Sequence, residues 1–137
     1  MRLGIAASAN LETMAALRKH MAIWNINSFA EFYLQIYSKY DADYQHACLR
    51  FAEERENFYQ ELQSIDFLRV IPSQANYFLC EVTQRYTSTQ LVEKLLKQNV
   101  LLKDCSTKKG FDGKSYIRIA IRDRKDNHQL FELLQSC

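Results

Sequence analysis

Two arginines carry the most readable chemistry in this sequence. From Tyr116 to Arg122 the residues alternate, with Ile117, Ile119 and Ile121 at one set of positions and Tyr116, Arg118, Ala120 and Arg122 at the other. That is the period of a β-strand with one buried face. Arg118 then stands mid-strand, where a planar guanidinium presents a rigid fork matched to a carboxylate, so a bidentate clamp for an acidic small molecule is one reading. A solvated residue on the open face of an antiparallel sheet is the other. Arg2 lies in a second alternating run, Arg2 to Ala7, and shares its face with Gly4, which permits close approach of a ligand or another strand. There it can grip a phosphate, or simply be a charged residue near a chain terminus.

Other polar residues have local explanations beside the functional ones. Asn76 opens an apolar run after Pro72-Ser73-Gln74, where its side chain either closes an Asx-type turn or points into a cleft. Trp24, Asn25 and Asn27 cluster between two helical patterns, with Asn27 or Ser28 placed to cap the second. His20, His46 and His128 have no carboxylate or cysteine at a metal-ligand or triad spacing, so no metal site is expected. There is no Walker loop, GxSxG or GxGxxG.

The 137 residues that must position these groups are 47% hydrophobic, enough for a buried core and too much for a disordered chain. Three glycines and one proline leave too few turn residues for an all-β sandwich or barrel, so helices should dominate. A net charge of +2 does not suggest a nucleic-acid binder, and no apolar run is long enough to span a bilayer. Cys48, Cys80, Cys105 and Cys137 are widely spaced, and Cys48 and Cys80 fall in apolar periodic segments. Reduced thiols in a cytoplasmic chain are expected.

The periodicities predict a strand over 2–7 and an amphipathic helix capped by Asn10, with Leu11, Met14, Ala15, Leu17 and Met21 on its apolar side. A second helix over about 27–40 carries Phe29, Phe32, Tyr33, Ile36, Tyr37 and Tyr40 at core spacing. From Asp41 a third helix of some 23 residues follows, with Glu53, Glu54, Arg55 and Glu56 as a solvated run, and a domain boundary is placed near Ile65. Beyond it the pattern reads β-β-α-β-β-α. The strands lie over 67–71, 75–82, 101–105 and 116–122, and the run over 75–82 is apolar enough to be covered on both faces. Thr87 and Gln90 form a capping box, Gly110 and Gly113 mark a turn, and Asp123 caps the last helix.

In order along the chain, four segments resemble the C-terminal part of a fold-type I aminotransferase dependent on pyridoxal phosphate, nearest the histidinol-phosphate aminotransferase and threonine-phosphate decarboxylase group. Met1-Arg2-Leu3-Gly4-Ile5 is similar to the end of a Gly-Leu-Arg-Leu-Gly segment, and Trp24-Asn25-Ile26-Asn27-Ser28 to Trp-Asn-Val-Asn-Ser. Ser73-Gln74-Ala75-Asn76-Tyr77-Phe78 resembles Ser-x-Ala-Asn-Phe, and Tyr116-Ile117-Arg118-Ile119 a Leu-Arg-Ile strand. Asp123-x-x-x-Asn127 before the last helix agrees as well.

The resemblance implies an α/β fold in which 1–25 form the edge of a large cofactor-binding domain, 26–64 are long linking helices, and 65–137 are a small domain with a mainly antiparallel sheet covered by helices. It implies pyridoxal 5'-phosphate as cofactor, with Arg2 at the cofactor phosphate, Arg118 on the substrate α-carboxylate, and Asn76 and Asn27 lining the substrate region. Amino-acid and 2-oxo-acid substrates, the large domain of the same enzyme and a homodimer are the implied partners. The Schiff-base lysine would lie upstream of the residue matching Arg2, leaving this chain without a catalytic lysine and inactive alone. Two departures stand out: the family usually has Gly where Arg122 stands and Pro where Ile23 stands. An amino-acid decarboxylase is the alternative activity. A free-standing ligand-binding or interaction module is the alternative class.

Overall fold

The computed structural model describes residues 3–111 and 113–137, and the chain divides into two compact units, 1–47 and 48–137. The first unit holds α1 (Leu11–His20), α2 (Ser28–Ile36), a 3-10 turn over Tyr37–Lys39, and the start of α3 (Asp41–Gln63). Its helices begin where polar side chains satisfy the free N–H groups of a first turn. The Thr13 N–H donates to Asn10 Oδ1 at 3.0 Å, and the Ala30 N–H to Asn27 Oδ1 at 2.9 Å.

Three expectations for this unit are corrected. Residues 3–7 form no strand: they are exposed, and a strand exists only when a neighbour completes its ladder. In α1 no residue is buried, so its apolar side is not a core face. In α2 only Ala30 is buried, while Phe29 and Phe32 are exposed and Tyr33, Ile36 and Tyr37 half-covered. The helix also stops at Ile36 and tightens into the 3-10 turn, where the Tyr37 ring meets Tyr44 edge-on and Tyr33 at a tilt.

The second unit contains the rest of α3, then β1 (Leu68–Ile71), β2 (Tyr77–Val82), α4 (Ser88–Leu96), β3 (Lys103–Asp104), β4 (Tyr116–Ala120) and α5 (Arg124–Gln135). The β-β-α-β-β-α order holds. The sheet runs β1-β2-β4-β3 and every pairing is antiparallel. Register puts Leu68 opposite Val82, Val70 opposite Cys80, Cys80 opposite Ile117 and Phe78 opposite Ile119, all buried. That face meets Phe58 and Leu62 of α3, Leu91 and Leu95 of α4, and Leu130 and Leu134 of α5 in one core. The compact unit therefore starts within α3, at Cys48, because Phe58 and Leu62 belong to the sheet's core.

β2 is covered on one face only: Phe78, Cys80 and Val82 are buried, but Tyr77 is exposed and Leu79 and Glu81 half-buried. The expectation of two covered faces fails because Leu79 sits between Ile71 and Arg118 on a face that carries charged neighbours. Cys48 is likewise exposed rather than packed, whereas burial pushes the Cys80 thiol up to about 12. All four cysteines are free. Phe131 and Leu133 of α5 pack only at the margin of the core. α4 opens with the expected reciprocal box between Thr87 and Gln90, and α5 with Asp123 accepting from the Asp126 N–H at 2.9 Å.

Candidate functional site

The open face of the sheet has two electrostatic ends. At one, Arg69 lies directly across from Glu81 and donates to it through Nε at 2.7 Å, with Lys114 Nζ 3.7 Å away. The bond from Arg69 holds the Glu81 carboxyl below its ordinary range, so Arg69 is already paired with a carboxylate at this end. At the other end Arg118 lies across from Leu79 on β2 and Lys103 on β3. Neither neighbour is a carboxylate. A second cation at the closest cross-strand position adds to the positive potential there instead of cancelling it.

Arg118 is exposed, as the alternation of β4 requires, and its guanidinium carbon lies 5.2 Å from the centre of the Tyr77 ring. Tyr77 pairs with Ala120, two residues farther along β4, so the head of Arg118 leans toward the Ala120 end of its strand. A ring beneath a guanidinium restricts its orientations while leaving its N–H edges available to an in-plane acceptor.

This end of the sheet opens into a cleft of about 490 Å³ lined by residues including Lys103, Arg118, Ala120, Arg122, Asp126 and Asn127. One wall is the segment after α4, where Asn99 takes φ +62 and turns the chain so that the Val100 N–H donates to the Leu95 carbonyl at 3.1 Å. Asparagine tolerates that left-handed geometry better than most residues. The other wall is the first turn of α5. There Arg122 Nε donates to Asp126 Oδ2 at 2.5 Å.

Asn127 fixes this wall from behind. It is 2% exposed, and its Oδ1 accepts the Arg122 N–H at 2.8 Å while its Nδ2 donates to the Arg122 carbonyl at 3.1 Å and to Glu54 Oε1 at 2.7 Å. Glu54 is thus no member of a merely solvated run. Its neighbour Arg55 also has structural work, donating to the Gln74 carbonyl at 3.0 Å and to Gln74 Oε1 at 2.8 Å.

The remaining sequence candidates fall as follows. Asn76 is exposed, just before β2, and its carbonyl accepts the Ile121 N–H at 3.0 Å, extending the β2–β4 ladder. The turn it might have closed is held by Ser73, whose Oγ accepts the Ala75 N–H at 3.0 Å. Asn27 caps α2 in the first unit. Arg2 lies outside the described residues. Arg118 and Arg122 therefore share one cleft, with Tyr77, Lys103 and Asp126 as neighbours that sequence periodicity did not single out. The i,i+4 spacing of Arg122 and Asp126 was the one available signal for that pair.

The profile for "Aminotransferase class I and II" matches residues 1–134. This chain belongs to the class I and II aminotransferase family. It is 30% identical to the threonine-phosphate decarboxylase of Salmonella typhimurium over 137 residues, 99% of this chain and 36% of that protein. Among solved structures it is similar to the histidinol-phosphate aminotransferase from Clostridium acetobutylicum, with TM-score 0.77 and 32% identity over 91% of this chain and 37% of that one. A decarboxylase from Sulfurospirillum multivorans superposes with TM-score 0.79 at 26% identity, covering 91% of this chain and 36% of the other. The chain spans about a third of the length of these relatives.

The family depends on pyridoxal phosphate. The donor set in the cleft fits an anionic organic ligand: three cations, Lys103, Arg118 and Arg122, against one carboxylate, Asp126, which is already engaged. Among the described residues no helix is long and apolar enough to cross a membrane, and no cluster of metal-binding side chains occurs.

Proposed function

We propose that this chain supplies the substrate-recognition wall of an aminotransferase that acts on an amino acid and a 2-oxo acid, with Arg118 clamping the α-carboxylate. The observation that carries this reading is the position of Arg118, fixed mid-strand over Tyr77, with no carboxylate opposite it and opening on a cation-rich cleft. A carboxylate arriving there gains two parallel charge-assisted bonds, and the ring below keeps the fork from having to be ordered first. Arg2 is assigned to the cofactor phosphate, and Asn76 and Asn27 to the substrate region. When bound, pyridoxal phosphate supplies the electron sink for bonds at the amino acid's α-carbon. The part of this chain is to bind and orient.

None of the nine lysines here is assigned the covalent link to the cofactor. Lys94, the half-buried one, donates to the Tyr86 hydroxyl at 3.0 Å and to the Cys137 carbonyl at 3.1 Å. The bond to Tyr86 raises its pKa, the opposite of what a nucleophilic lysine needs. The chain alone is therefore proposed to be inactive, and to act with a large domain of the same enzyme in a homodimer. The free cysteines fit a cytoplasmic location. Decarboxylation is the second reading, supported by relatives whose names state that activity.

The test is Arg118→Lys in an enzyme containing this domain. The charge stays but the fork is lost, so amino-acid binding should weaken by about 1–3 kcal/mol, the range for a charge-assisted bond, with cofactor affinity nearly unchanged. An unchanged KM for the amino acid would sink the clamp assignment.

A further inference from the structure

We propose that Arg55 is a positioning residue for the carboxylate clamp: it fastens the segment 72–76 to α3 and so holds the Tyr77 ring in place beneath Arg118. The inference rests on the reading of Arg118 as that clamp and names what keeps its support in position. The segment joins β1 to β2 with five residues and no glycine, too long for a two-residue hairpin turn that would set its own geometry. Ser73 orders its first half by accepting the Ala75 N–H at 3.0 Å. Arg55 holds the middle from outside. Its Nη1 donates to the Gln74 carbonyl at 3.0 Å and its Nη2 to Gln74 Oε1 at 2.8 Å. Two donors of one rigid fork on two acceptors of one residue fix both where Gln74 stands and how it is turned, which a single bond does not. Both acceptors are neutral, so the fork serves geometry and not the cancelling of charge.

Tyr77 needs that hold because of where it lies. It is the first residue of β2, three beyond Gln74, and is 39% exposed on the open face. The residue after it, Phe78, is fixed in the core, its ring centre 5.6 Å from that of Tyr59 and 6.2 Å from that of Phe58, both on α3. The residue before it, Asn76, accepts the Ile121 N–H at 3.0 Å. The far side of that bond is secured from the same helix, since Glu54 accepts from Asn127 Nδ2 at 2.7 Å and Asn127 binds the backbone of Arg122. Consecutive side chains of α3, Glu54 and Arg55, thus secure the two chain segments that meet at the entry to β2. With the hold on Gln74 removed, the segment gains freedom at its middle and the Tyr77 ring is no longer fixed 5.2 Å from the guanidinium carbon. Arg118 must then be ordered by the incoming carboxylate, at a cost in affinity.

The test uses two NMR readouts on the isotope-labelled 137-residue chain at mildly acidic pH. One is the Arg118 side-chain Nε–H signal, identified by its loss in Arg118→Gln; the other is titration with L-alanine, whose one anionic group is the α-carboxylate. Tyr77→Leu should shift the Nε–H signal by removing the ring current. Arg55→Gln should move it toward the Tyr77→Leu position and weaken L-alanine about two- to tenfold, the cost of ordering one long side chain on binding. Arg55→Lys, which can keep one bond to Gln74 but not the fork, should give an intermediate signal. Gln74→Ala, which keeps the carbonyl and loses Oε1, should do the same and add nothing to Arg55→Gln. Gln60→Ala removes a bond within the same helix, from Gln60 Nε2 to Glu56 Oε1 at 2.7 Å, and should move neither readout. If Arg118→Gln leaves L-alanine binding unchanged, the clamp reading fails, whereas the Nε–H signal still judges the hold of Arg55 on Tyr77. The proposal is overturned if Arg55→Gln, or Gln74→Ala where Arg55→Gln does not fold, leaves the Nε–H signal at its wild-type position. It is overturned equally if Gln60→Ala shifts that signal as far, or if Arg118→Gln weakens L-alanine and Arg55→Gln does not.

Discussion

Asn127→Ala should destabilise the second unit by about 2–4 kcal/mol. The side chain is buried and makes three bonds, two of them neutral contacts with the Arg122 backbone and one a donation to the Glu54 carboxylate. Neutral hydrogen bonds are worth about 1 kcal/mol each and bonds to charged groups about 1.5–3 kcal/mol. Their sum is an upper figure, because Glu54 is only half-buried and water can replace part of its loss. For a unit of this size each kcal/mol lowers Tm by about 4–8 °C, so the change is easy to resolve. Urea unfolding followed by far-UV circular dichroism should show a lower midpoint at unchanged slope. A double-mutant cycle with Glu54→Ala should return a coupling of about 1–2 kcal/mol, since each single change removes the same contact. Asn127→Asp should cost more than Asn127→Ala, because it sets a second carboxylate against Glu54. A loss below about 1 kcal/mol for Asn127→Ala, or no coupling, would refute the view that this amide ties α3 to the β4–α5 junction.

Three further outcomes are expected. Cys48 should react with iodoacetamide at pH 8 while Cys80, buried and with its thiol pushed up to about 12, stays unmodified until the chain unfolds; rapid native labelling of Cys80 would contradict its placement. Because the folded state keeps that thiol protonated while the unfolded one ionises near its ordinary value, stability should fall as pH rises from about 9 toward 12, and Cys80→Ala should flatten this decline. Borohydride reduction with pyridoxal phosphate should label the nine lysines sparsely; one lysine labelled stoichiometrically, found by peptide mapping, would overturn the assignment of none to the covalent link. The exposed Phe29 and Phe32 of α2 should drive self-association seen by sedimentation and reduced by Phe29→Ser with Phe32→Ser, and a monomer at high concentration would count against it.

Local signals reached farther in the second unit than in the first. The caps at Asn10, Asn27, Thr87 and Asp123 were legible because a cap needs only its own turn. The alternation of Ile117, Ile119 and Ile121 placed Arg118 on the open face because a strand's parity is fixed by its own residues. The predicted strand over 2–7 is not formed over its described residues 3–7 for the converse reason, since an alternating pattern is a strand only if another strand pairs with it. The apolar sides of α1 and α2 likewise show a periodicity that packing within the chain does not use. Periodicity reports which residues share a face. It does not report what meets that face.

The same distinction explains what was legible of the site. Arg118 could be read as a possible clamp from its place in one strand, but whether it is neutralised depends on the residues opposite, and those are set by register. Arg69 and Arg118 have the same alternation and the same exposure, yet one faces Glu81 and the other faces Leu79 and Lys103. Only the pairing of β1 with β2 and of β2 with β4 separates a structural ion pair from an arginine able to take a ligand. Asn127 reaches Glu54 across 73 residues of sequence, so no local motif could show that the wall carrying Arg122 is anchored to α3. Whether an arginine of this sheet is paired or open to a ligand is decided by the residues that face it across the strands. That property belongs to the sheet rather than to the strand.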